Sequence, residues 1–159
     1  MGSYLFGSSI VQDISPYLPE EFESKNGKVS KEELLKNELI GVYFSAHWCG
    51  PCRAFTPKLA QFYNNVNSEK KQIEIVFNSC DRDLNGFNEY FGTMPWIATP
   101  FESEAKTKIE EACGISSIPQ LIIFNNKGQV IDDDGRRRVE SEGDGAIKTW
   151  KDKNVPKEQ

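Results

Sequence analysis

Two cysteines at a spacing of three, Cys49 and Cys52, carry the strongest chemical signal in the chain, within the sequence HWCGPC. Such a pair can bind a metal ion, form a structural disulfide or exchange disulfides with another molecule. A zinc site needs four ligands, and the remaining Cys80, Cys113 and His47 supply no second Cys-x-x-Cys motif or histidine pair. A structural disulfide between residues this close would close too small a loop to stabilise the fold much. Disulfide exchange is therefore the favoured chemistry, and no metal site is expected.

The segments on either side of the pair predict a strand followed by a helix, with the cysteines at the junction. The apolar stretch LIGVYFSA, residues 39–46, has the length and residue types of a buried strand. After Cys49, apolar residues recur at helical spacing: Phe55, Leu59, Phe62, Tyr63 and Val66. Gly50 and Pro51 suit a tight entry into this helix, because proline in the first turn loses no helical hydrogen bond.

A position at the start of a helix gives the two cysteines different roles. The first N–H groups of a helix have no backbone partner and the helix dipole is positive there, so Cys49 is expected to favour its thiolate form. Cys52, one turn further along the same face, can reach the Cys49 sulfur while it stays shielded from substrates. The spacing thus predicts that Cys49 attacks a substrate disulfide and that Cys52 resolves the mixed disulfide.

The rest of the chain predicts an α/β fold. IEIVFNS is typical of a second buried strand, and PQLIIFN, NKG and QVIDD of a hairpin. Helices are predicted for DLNGFNEYF, with Leu84, Phe87 and Phe91 on its apolar face, for ESEAKTKIEEAC, and for the tail up to Trp150. MPWIATPF is typical of a loop, and DGRRRVES is expected to continue the hairpin or to form a loop. This order predicts a central mixed sheet with helices on both faces.

Length and composition indicate one domain without a membrane or nucleic-acid role. The 159 residues suit a single domain over 1–159, with a core at about 28–150, an N-terminal extension and a short C-terminal tail. The 19 basic and 24 acidic residues give a net charge of −5, which disfavours nucleic-acid binding. No apolar run could span a membrane, and the first residues lack the features of a secretion signal. A reducing compartment is therefore expected: the cytoplasm, with the nucleus as an alternative.

Four segments of the chain resemble, in their order, the thioredoxin superfamily and, within it, the tryparedoxin and nucleoredoxin branch. They are VYFSAHWCGPCRAFTPKLAQFY, IVFNSCDRD, MPWIATPF and GISSIPQLIIF, and they cover roughly residues 39–125. Together they are specific, whereas each one alone would be weak. The resemblance implies a thioredoxin fold in which Cys49 is the nucleophile and Cys52 the resolving thiol.

The resemblance also implies a substrate groove beside the pair. Pro119, in the sequence SIPQ, is expected to follow a cis peptide bond to Ile118. The exposed backbone of Ile118 would then pair with a bound substrate strand. Trp48 and the loop that carries Trp96 would flank this groove.

At three positions the sequence differs from residues that are typical of the proteins it resembles. Gly50 stands where tryparedoxins and nucleoredoxin carry a proline in WCPPC, and this difference bears on partner choice and redox potential. Tyr43 stands where thioredoxin has a buried aspartate, so proton transfer for Cys52 needs another group or water. Cys80 stands where tryparedoxins tend to have a tryptophan. It is a candidate third redox thiol, with an inert, partly buried thiol as the alternative.

Residues and resemblance together predict a thiol–disulfide oxidoreductase that reduces protein disulfides, with peroxidases such as peroxiredoxins among its candidate substrates. No bound cofactor is expected, because the Cys49–Cys52 pair carries both electrons. The expected reductant is thioredoxin reductase, glutathione or another low-molecular-weight thiol, and the protein is expected to be a monomer. Two alternatives remain: a redox-sensitive partner-binding module with little turnover, and a disulfide isomerase or oxidase of an oxidising compartment.

Overall fold

A mixed sheet of seven strands forms the centre of the computed structural model, which describes residues 10–154. The strands are β1 (Glu21–Ser24), β2 (Gly27–Ser30), β3 (Leu39–Ser45), β4 (Glu74–Ser79), β5 (Ile97–Ala98), β6 (Gln120–Asn125) and β7 (Val130–Asp132). Residues 1–9 and 155–159 lie outside the described residues. They include the first part of the segment considered as a secretion signal and the end of the predicted C-terminal tail.

Parallel pairing at the centre of the sheet places the ends of β3 and β4 side by side. The order across the sheet is β2–β1–β5–β4–β3–β6–β7. Strands β3 and β4 are parallel, with Val42 opposite Val76, whereas β6 is antiparallel to β3, with Val42 opposite Ile122. Because the carboxyl ends of parallel strands meet at one edge, the segments after Ser45 and Ser79 are brought together there.

Helices cover both faces of the sheet, which confirms the predicted fold class. They are α1 (Lys31–Leu34), α2 (Gly50–Val66), α3 (Leu84–Phe91), α4 (Glu104–Cys113), α5 (Gly135–Glu142) and α6 (Ala146–Lys153). Successive residues of β3 point to opposite faces. Tyr43 joins the core formed with α2, α3, α5 and α6, while Val42 and Phe44 join the core formed with α4.

Local sequence signals account for several helix ends and faces. Ser30 caps α1, because its hydroxyl accepts a hydrogen bond from the Glu33 N–H at 3.0 Å. Helix α4 ends at Gly114, whose φ of 61° is the left-handed conformation that glycine adopts readily. The predicted apolar face of α2 is buried as expected: Phe55, Leu59, Phe62, Tyr63 and Val66.

The prediction of a loop or a longer hairpin for DGRRRVES was wrong, because this segment forms helix α5. Gly135 lets the chain approach β6 closely, since a Cβ there would lie 2.9 Å from the carbonyl oxygen of Leu121. Val139 is buried against the core. Arg138 pairs with Glu142 one turn later at 3.1 Å, an arrangement that supports a short helix.

Three further predictions change at element boundaries. MPWIATPF contains the short strand β5, which pairs with β4 and with β1. Leu84 is 43% exposed because it begins α3 directly after its cap, Asp83, and Tyr90 is buried on this helix instead. Strands β1 and β2 form a hairpin that lies mostly before residue 28, in the predicted N-terminal extension. This hairpin belongs to the central sheet.

Candidate active site

The cysteine pair lies between the end of β3 and the start of α2. Cys49 is the N-cap of α2, and its Sγ accepts a hydrogen bond from the Cys52 N–H at 3.3 Å. Gly50 and Pro51 form the first turn. The Cα atoms of the two cysteines are 5.2 Å apart, and their sulfurs lie at disulfide distance. Cys49 keeps 7% of its surface exposed and Cys52 none, so Cys49 is the more accessible of the two.

Hydrogen bonds from the end of β4 hold the segment that precedes Cys49. The Asp81 carboxylate accepts one from the backbone N–H of His47 at 2.7 Å and one from the Ser79 hydroxyl at 2.8 Å. The indole N–H of Trp48 donates to the Cys80 carbonyl at 3.1 Å. These bonds join the two parallel strand ends, so the segment that leads into the pair has a fixed position at the edge of the sheet.

Trp48 is the exposed aromatic side chain next to the pair. It is 48% exposed, and the Arg82 guanidinium lies 4.6 Å from its ring centre. A guanidinium at this distance interacts favourably with the electron-rich face of an indole. The structure thus places Trp48 at the surface directly before Cys49, with its ring held in one orientation.

The segment before β6, which contains Ile118 and Pro119, also lies next to the cysteine pair. The peptide bond between Ile118 and Pro119 is cis, as the resemblance implied. The partly buried Ile118 packs against the small cluster formed by Ala46, Cys49 and Cys52. The residues expected to form the substrate groove on this side are therefore next to the cysteines.

A polar cavity of about 320 Å³ opens beside Pro119. Its lining includes Ser116 and Ser117 from the segment before β6, Asp133 from the link between β7 and α5, and Arg136 from the first turn of α5. The cavity therefore offers hydroxyl groups, the two carboxylates of Asp133 and Asp134, and a guanidinium to a small molecule. Because DGRRRVES was predicted to be a loop or part of the hairpin, the sequence did not indicate that α5 contributes Arg136 to this cavity.

Trp96 does not flank the groove, so this part of the predicted site is corrected. The side chain is only 2% exposed. Its ring packs edge-on against Tyr43, with centroids 6.0 Å apart, and against Tyr63, with centroids 5.6 Å apart. These partners come from β3 and α2, and the indole therefore fills the core on the α2 side of the sheet.

A network of buried hydroxyl groups lies beneath the first turn of α2, and the sequence did not predict it. The Thr56 Oγ1 lies 2.9 Å from the Cys52 carbonyl oxygen, 2.8 Å from the Tyr43 hydroxyl and 2.6 Å from the Tyr90 hydroxyl. The Tyr90 hydroxyl lies 2.7 Å from the Ser45 Oγ. All four side chains are buried, and together they are called the hydroxyl network below.

The hydroxyl network is uncharged. Burial raises the pKa of Tyr43 well above its ordinary range, and the neighbouring Tyr90 raises it further. Serine and threonine hydroxyls do not ionise near neutral pH either. The one local signal was Thr56, which follows Cys52 by one helical turn. Its partner Tyr90 is 34 residues away along the chain, so no sequence pattern connects the two.

Cys80 packs against the cysteine pair but is held as a thiol. Its Sγ donates a hydrogen bond to the Glu110 carboxylate at 3.2 Å. Burial, together with the hydrogen bond and charge of Glu110, raises the pKa of Cys80 to about 12. Cys113 lies on the buried face of α4, and burial raises its pKa to about 12 as well. Neither thiol is a ready nucleophile near neutral pH.

Within residues 10–154, no group of three or more His, Cys, Asp or Glu side chains is arranged to hold a metal ion. No helix in the same part of the chain combines the length and the apolar character needed to cross a membrane.

Comparison with known proteins agrees with this geometry. Residues 37–130 match the family model described as thioredoxin-like. The structure of tryparedoxin from Trypanosoma brucei has a TM-score of 0.79 and 38% identity, covering 86% of this chain and 96% of that one. A structure of tryparedoxin II complexed with glutathionylspermidine has a TM-score of 0.76 and 29% identity, covering 83% and 94%. Mouse (Mus musculus) nucleoredoxin is 38% identical over 131 residues, which are 82% of this chain and 30% of that protein.

The chain belongs to the thioredoxin-like family, whose members here are thiol–disulfide oxidoreductases with an active-site Cys-x-x-Cys disulfide. Within that family it is close to the tryparedoxins and nucleoredoxins, as its four motif segments predicted. It spans 20–32% of the length of the nucleoredoxins that it matches.

Proposed function

We propose that the protein reduces protein disulfides, with Cys49 as the nucleophile and Cys52 as the resolving thiol. The observation that carries the proposal is the asymmetry of the pair: Cys49, at the start of α2, keeps 7% of its surface exposed, whereas Cys52 is fully buried. The Cys52 N–H points at the Cys49 sulfur, at the positive end of the helix dipole. Both features stabilise a negative charge on the sulfur that a substrate reaches first.

The reaction consists of two thiol–disulfide exchanges. In the first, the Cys49 thiolate attacks a substrate disulfide, a bond forms between Cys49 and one substrate sulfur, and the other substrate sulfur leaves as a thiolate. In the second, Cys52 loses its proton and attacks the Cys49 Sγ, which releases the remaining substrate sulfur. The two released thiolates take up the Cys52 proton and one proton from solvent. Two electrons pass to the substrate, and the Cys49–Cys52 disulfide is left on the protein.

The groove for a protein substrate lies between Trp48 and the cis peptide bond of Ile118 and Pro119. The exposed Trp48 ring supplies apolar contact area beside Cys49. An extended substrate segment would pair with the backbone of Ile118, in the manner of strand addition to a sheet. Disulfides of peroxiredoxin-type peroxidases are candidate substrates for this groove.

A low-molecular-weight thiol is the reductant that the site supports best. Tryparedoxin II, a relative with the same fold, is complexed with glutathionylspermidine in its structure. In this chain the polar cavity beside Pro119 carries Asp133 and Arg136, which suit a small thiol with both ammonium and carboxylate groups. Comparing the recovery of the reduced pair with such a thiol, with glutathione and with thioredoxin reductase would identify the reductant.

Reduction of insulin disulfides in the presence of dithiothreitol tests the proposed activity. The wild-type protein should accelerate insulin precipitation, and Cys49→Ser should reduce it to the uncatalysed rate. Cys113→Ala removes a cysteine distant in sequence from the pair and should keep the activity. A wild-type protein without activity, or a Cys49→Ser variant as active as wild type, would contradict the proposal.

Trapping identifies the substrate itself. A Cys52→Ser variant cannot resolve the first intermediate, so it should retain its partner as a mixed disulfide on Cys49 that mass spectrometry can identify. The Cys49→Ser/Cys52→Ser double variant is the control and should trap nothing. Partners that bind wild type and Cys49→Ser equally, without turnover, would instead favour a redox-sensitive binding module.

A further inference from the structure

The backbone of Cys52 is held on two sides. Its N–H donates to the Cys49 Sγ at 3.3 Å, and its carbonyl oxygen lies 2.9 Å from the Thr56 Oγ1. Because Cys52 is fully buried, no water competes for either group. The hydroxyl network that fixes the carbonyl therefore also limits the movement of the N–H that faces the nucleophile.

The directions of the hydrogen bonds in the network follow from the inventory of donors and acceptors. The Cys52 carbonyl can only accept, so the single proton of the Thr56 hydroxyl is used on it. The Tyr43 hydroxyl lies 2.8 Å from the Thr56 oxygen and 3.5 Å from the same Cys52 carbonyl, so its proton is directed toward these two acceptors, and Tyr90 donates to the Thr56 oxygen. Since the Tyr90 proton is thus used, Ser45 donates to the Tyr90 oxygen. Every proton in the network points toward Cys52.

This arrangement has two physical consequences. Hydrogen bonds in series polarise one another, so Tyr90 strengthens the bond that Thr56 donates to the carbonyl. A thiolate is a stronger acceptor than a disulfide sulfur, because hydrogen bonds to charged groups are about twice as strong as neutral ones. A fixed Cys52 N–H therefore stabilises the reduced form of the pair more than the oxidised form.

We propose that Thr56 and Tyr90 are positioning residues for the nucleophile: they hold the Cys52 backbone so that its N–H stabilises the Cys49 thiolate. Tyr43 and Ser45 complete the same network. The inference rests on the proposed role of Cys49 as the attacking sulfur. It assigns to four uncharged hydroxyl groups a part in setting the reactivity and the redox potential of the pair.

Two variants test the inference by removing one hydroxyl each. Thr56→Val keeps the shape of the side chain, and Tyr90→Phe keeps the ring. In the reduced protein, the rate of Cys49 alkylation by iodoacetamide at pH 7, followed by mass spectrometry, should fall roughly three- to tenfold, as expected for one lost hydrogen bond. The potential should become more negative, because the reduced form loses stabilisation, and a tenfold change in the equilibrium equals about 30 mV. Thr56→Ser keeps the hydroxyl and should restore both values.

Tyr63→Phe is the matched control, because it removes a different buried tyrosine hydroxyl, which donates to Glu74 at 2.8 Å. It should lower the melting temperature and leave Cys49 alkylation and the potential unchanged. If Thr56→Val and Tyr90→Phe behave like Tyr63→Phe, the inference is wrong. Should Thr56→Val fail to fold, Tyr90→Phe decides alone. Alkylation needs no turnover, so a wild-type protein inactive on insulin would contradict the proposed function and leave this test valid.

Discussion

Two buried polar networks support different parts of the molecule, and they differ in charge. The hydroxyl network beneath the first turn of α2 is neutral throughout. The second, called the Asp132 network here, lies where β7 meets the C-terminal helices. The Asp132 carboxylate accepts hydrogen bonds from the indole N–H of Trp150 at 2.8 Å, from Arg138 at 3.1 Å and from the Asp134 backbone at 2.9 Å.

The difference follows from what lies next to each network. A buried carboxylate beneath the cysteine pair would repel the thiolate on which the proposed reaction depends. The Asp132 network has no such neighbour, and its charge-assisted bonds fix α5 and α6 to β7. Burial alone would raise the pKa of Asp132, but the bonds from Asp134, Trp150 and Arg138 outweigh it, and the pKa is lowered. The charged Asp132 network thus stabilises the packing of the C-terminal helices, whereas the network directly beneath the first turn of α2 consists of hydroxyl groups.

The largest expected effect comes from removing the aromatic part of the Asp132 network. Trp150 is fully buried and packs edge-on against Phe62, with ring centroids 5.7 Å apart. Trp150→Ala should lower the free energy of unfolding by about 3–5 kcal/mol, because it leaves a large cavity. Urea unfolding followed by circular dichroism measures this loss.

The exposed Trp48 provides the contrast. Trp48→Ala loses one hydrogen bond and creates no cavity, so the free energy of unfolding should change by less than about 1 kcal/mol. The variant should reduce a protein disulfide with a higher KM than wild type, because the Trp48 ring flanks the proposed groove. Equal losses of unfolding free energy in Trp150→Ala and Trp48→Ala would contradict the assignment of Trp150 to the stability of the core and of Trp48 to the groove.

Removing the negative charge of Asp132 is expected to give the next largest loss of unfolding free energy. Asp132→Asn retains the shape but loses the charge-assisted bonds to Arg138 and Trp150, so it should cost about 1.5–3 kcal/mol of unfolding free energy at pH 7. Tyr90→Phe removes a neutral bond and should cost about 1 kcal/mol. Urea unfolding of both variants under the same conditions measures the difference. A larger loss of unfolding free energy in Tyr90→Phe than in Asp132→Asn would show that the neutral network stabilises the fold more than the charged one does.

The two networks should also differ in how their contributions depend on pH. The folded-state pKa of Asp132 is depressed below its unfolded value of about 3.9, so its contribution is complete above that value and is lost as pH falls through the folded pKa. The stability gap between wild type and Asp132→Asn should therefore narrow below about pH 4. The gap between wild type and Tyr90→Phe should stay constant over the same range, because the hydroxyl network contains no carboxylate. A series of urea unfolding curves at decreasing pH distinguishes the two.

The pair itself could be predicted from the sequence because its position depends on local patterns. The buried strand before Cys49 and the apolar face of α2 each appear within a few residues, and a strand-to-helix junction needs nothing from elsewhere in the chain. The ends of α4 and the hairpin of β6 and β7 are local in the same way.

The features that the sequence did not predict depend on contacts between distant segments. Thr56 and Tyr90 meet only because α2 and α3 pack on the same face of the sheet. The family resemblance implied that the loop carrying Trp96 flanks the groove, whereas its ring packs between Tyr43 and Tyr63. Helix α5 was missed because its glycine and arginines are typical of a turn, and its contact with Leu121 cannot be read locally.

The smallest effect is expected at Cys80, the candidate third redox thiol, which is partly buried and, unlike the hydroxyl network, contacts a carboxylate. Burial and Glu110 raise the pKa of Cys80 to about 12, so Cys80 is almost entirely a thiol at pH 7. Cys80→Ala should therefore leave insulin reduction unchanged, and mild oxidant should give mainly the Cys49–Cys52 disulfide in peptide maps.

Glu110 offers the means to amplify this small effect. Glu110→Gln removes the negative charge that raises the Cys80 pKa and leaves only an amide oxygen as the acceptor for the thiol, so the thiolate fraction should increase. If Cys80 can reach the pair, the share of the Cys49–Cys80 disulfide after mild oxidation should rise in Glu110→Gln compared with wild type. Glu111→Gln, the next residue on α4 and exposed, is the control and should leave that share unchanged. An unchanged share in Glu110→Gln would show that Cys80 is an inert thiol held in place by its packing.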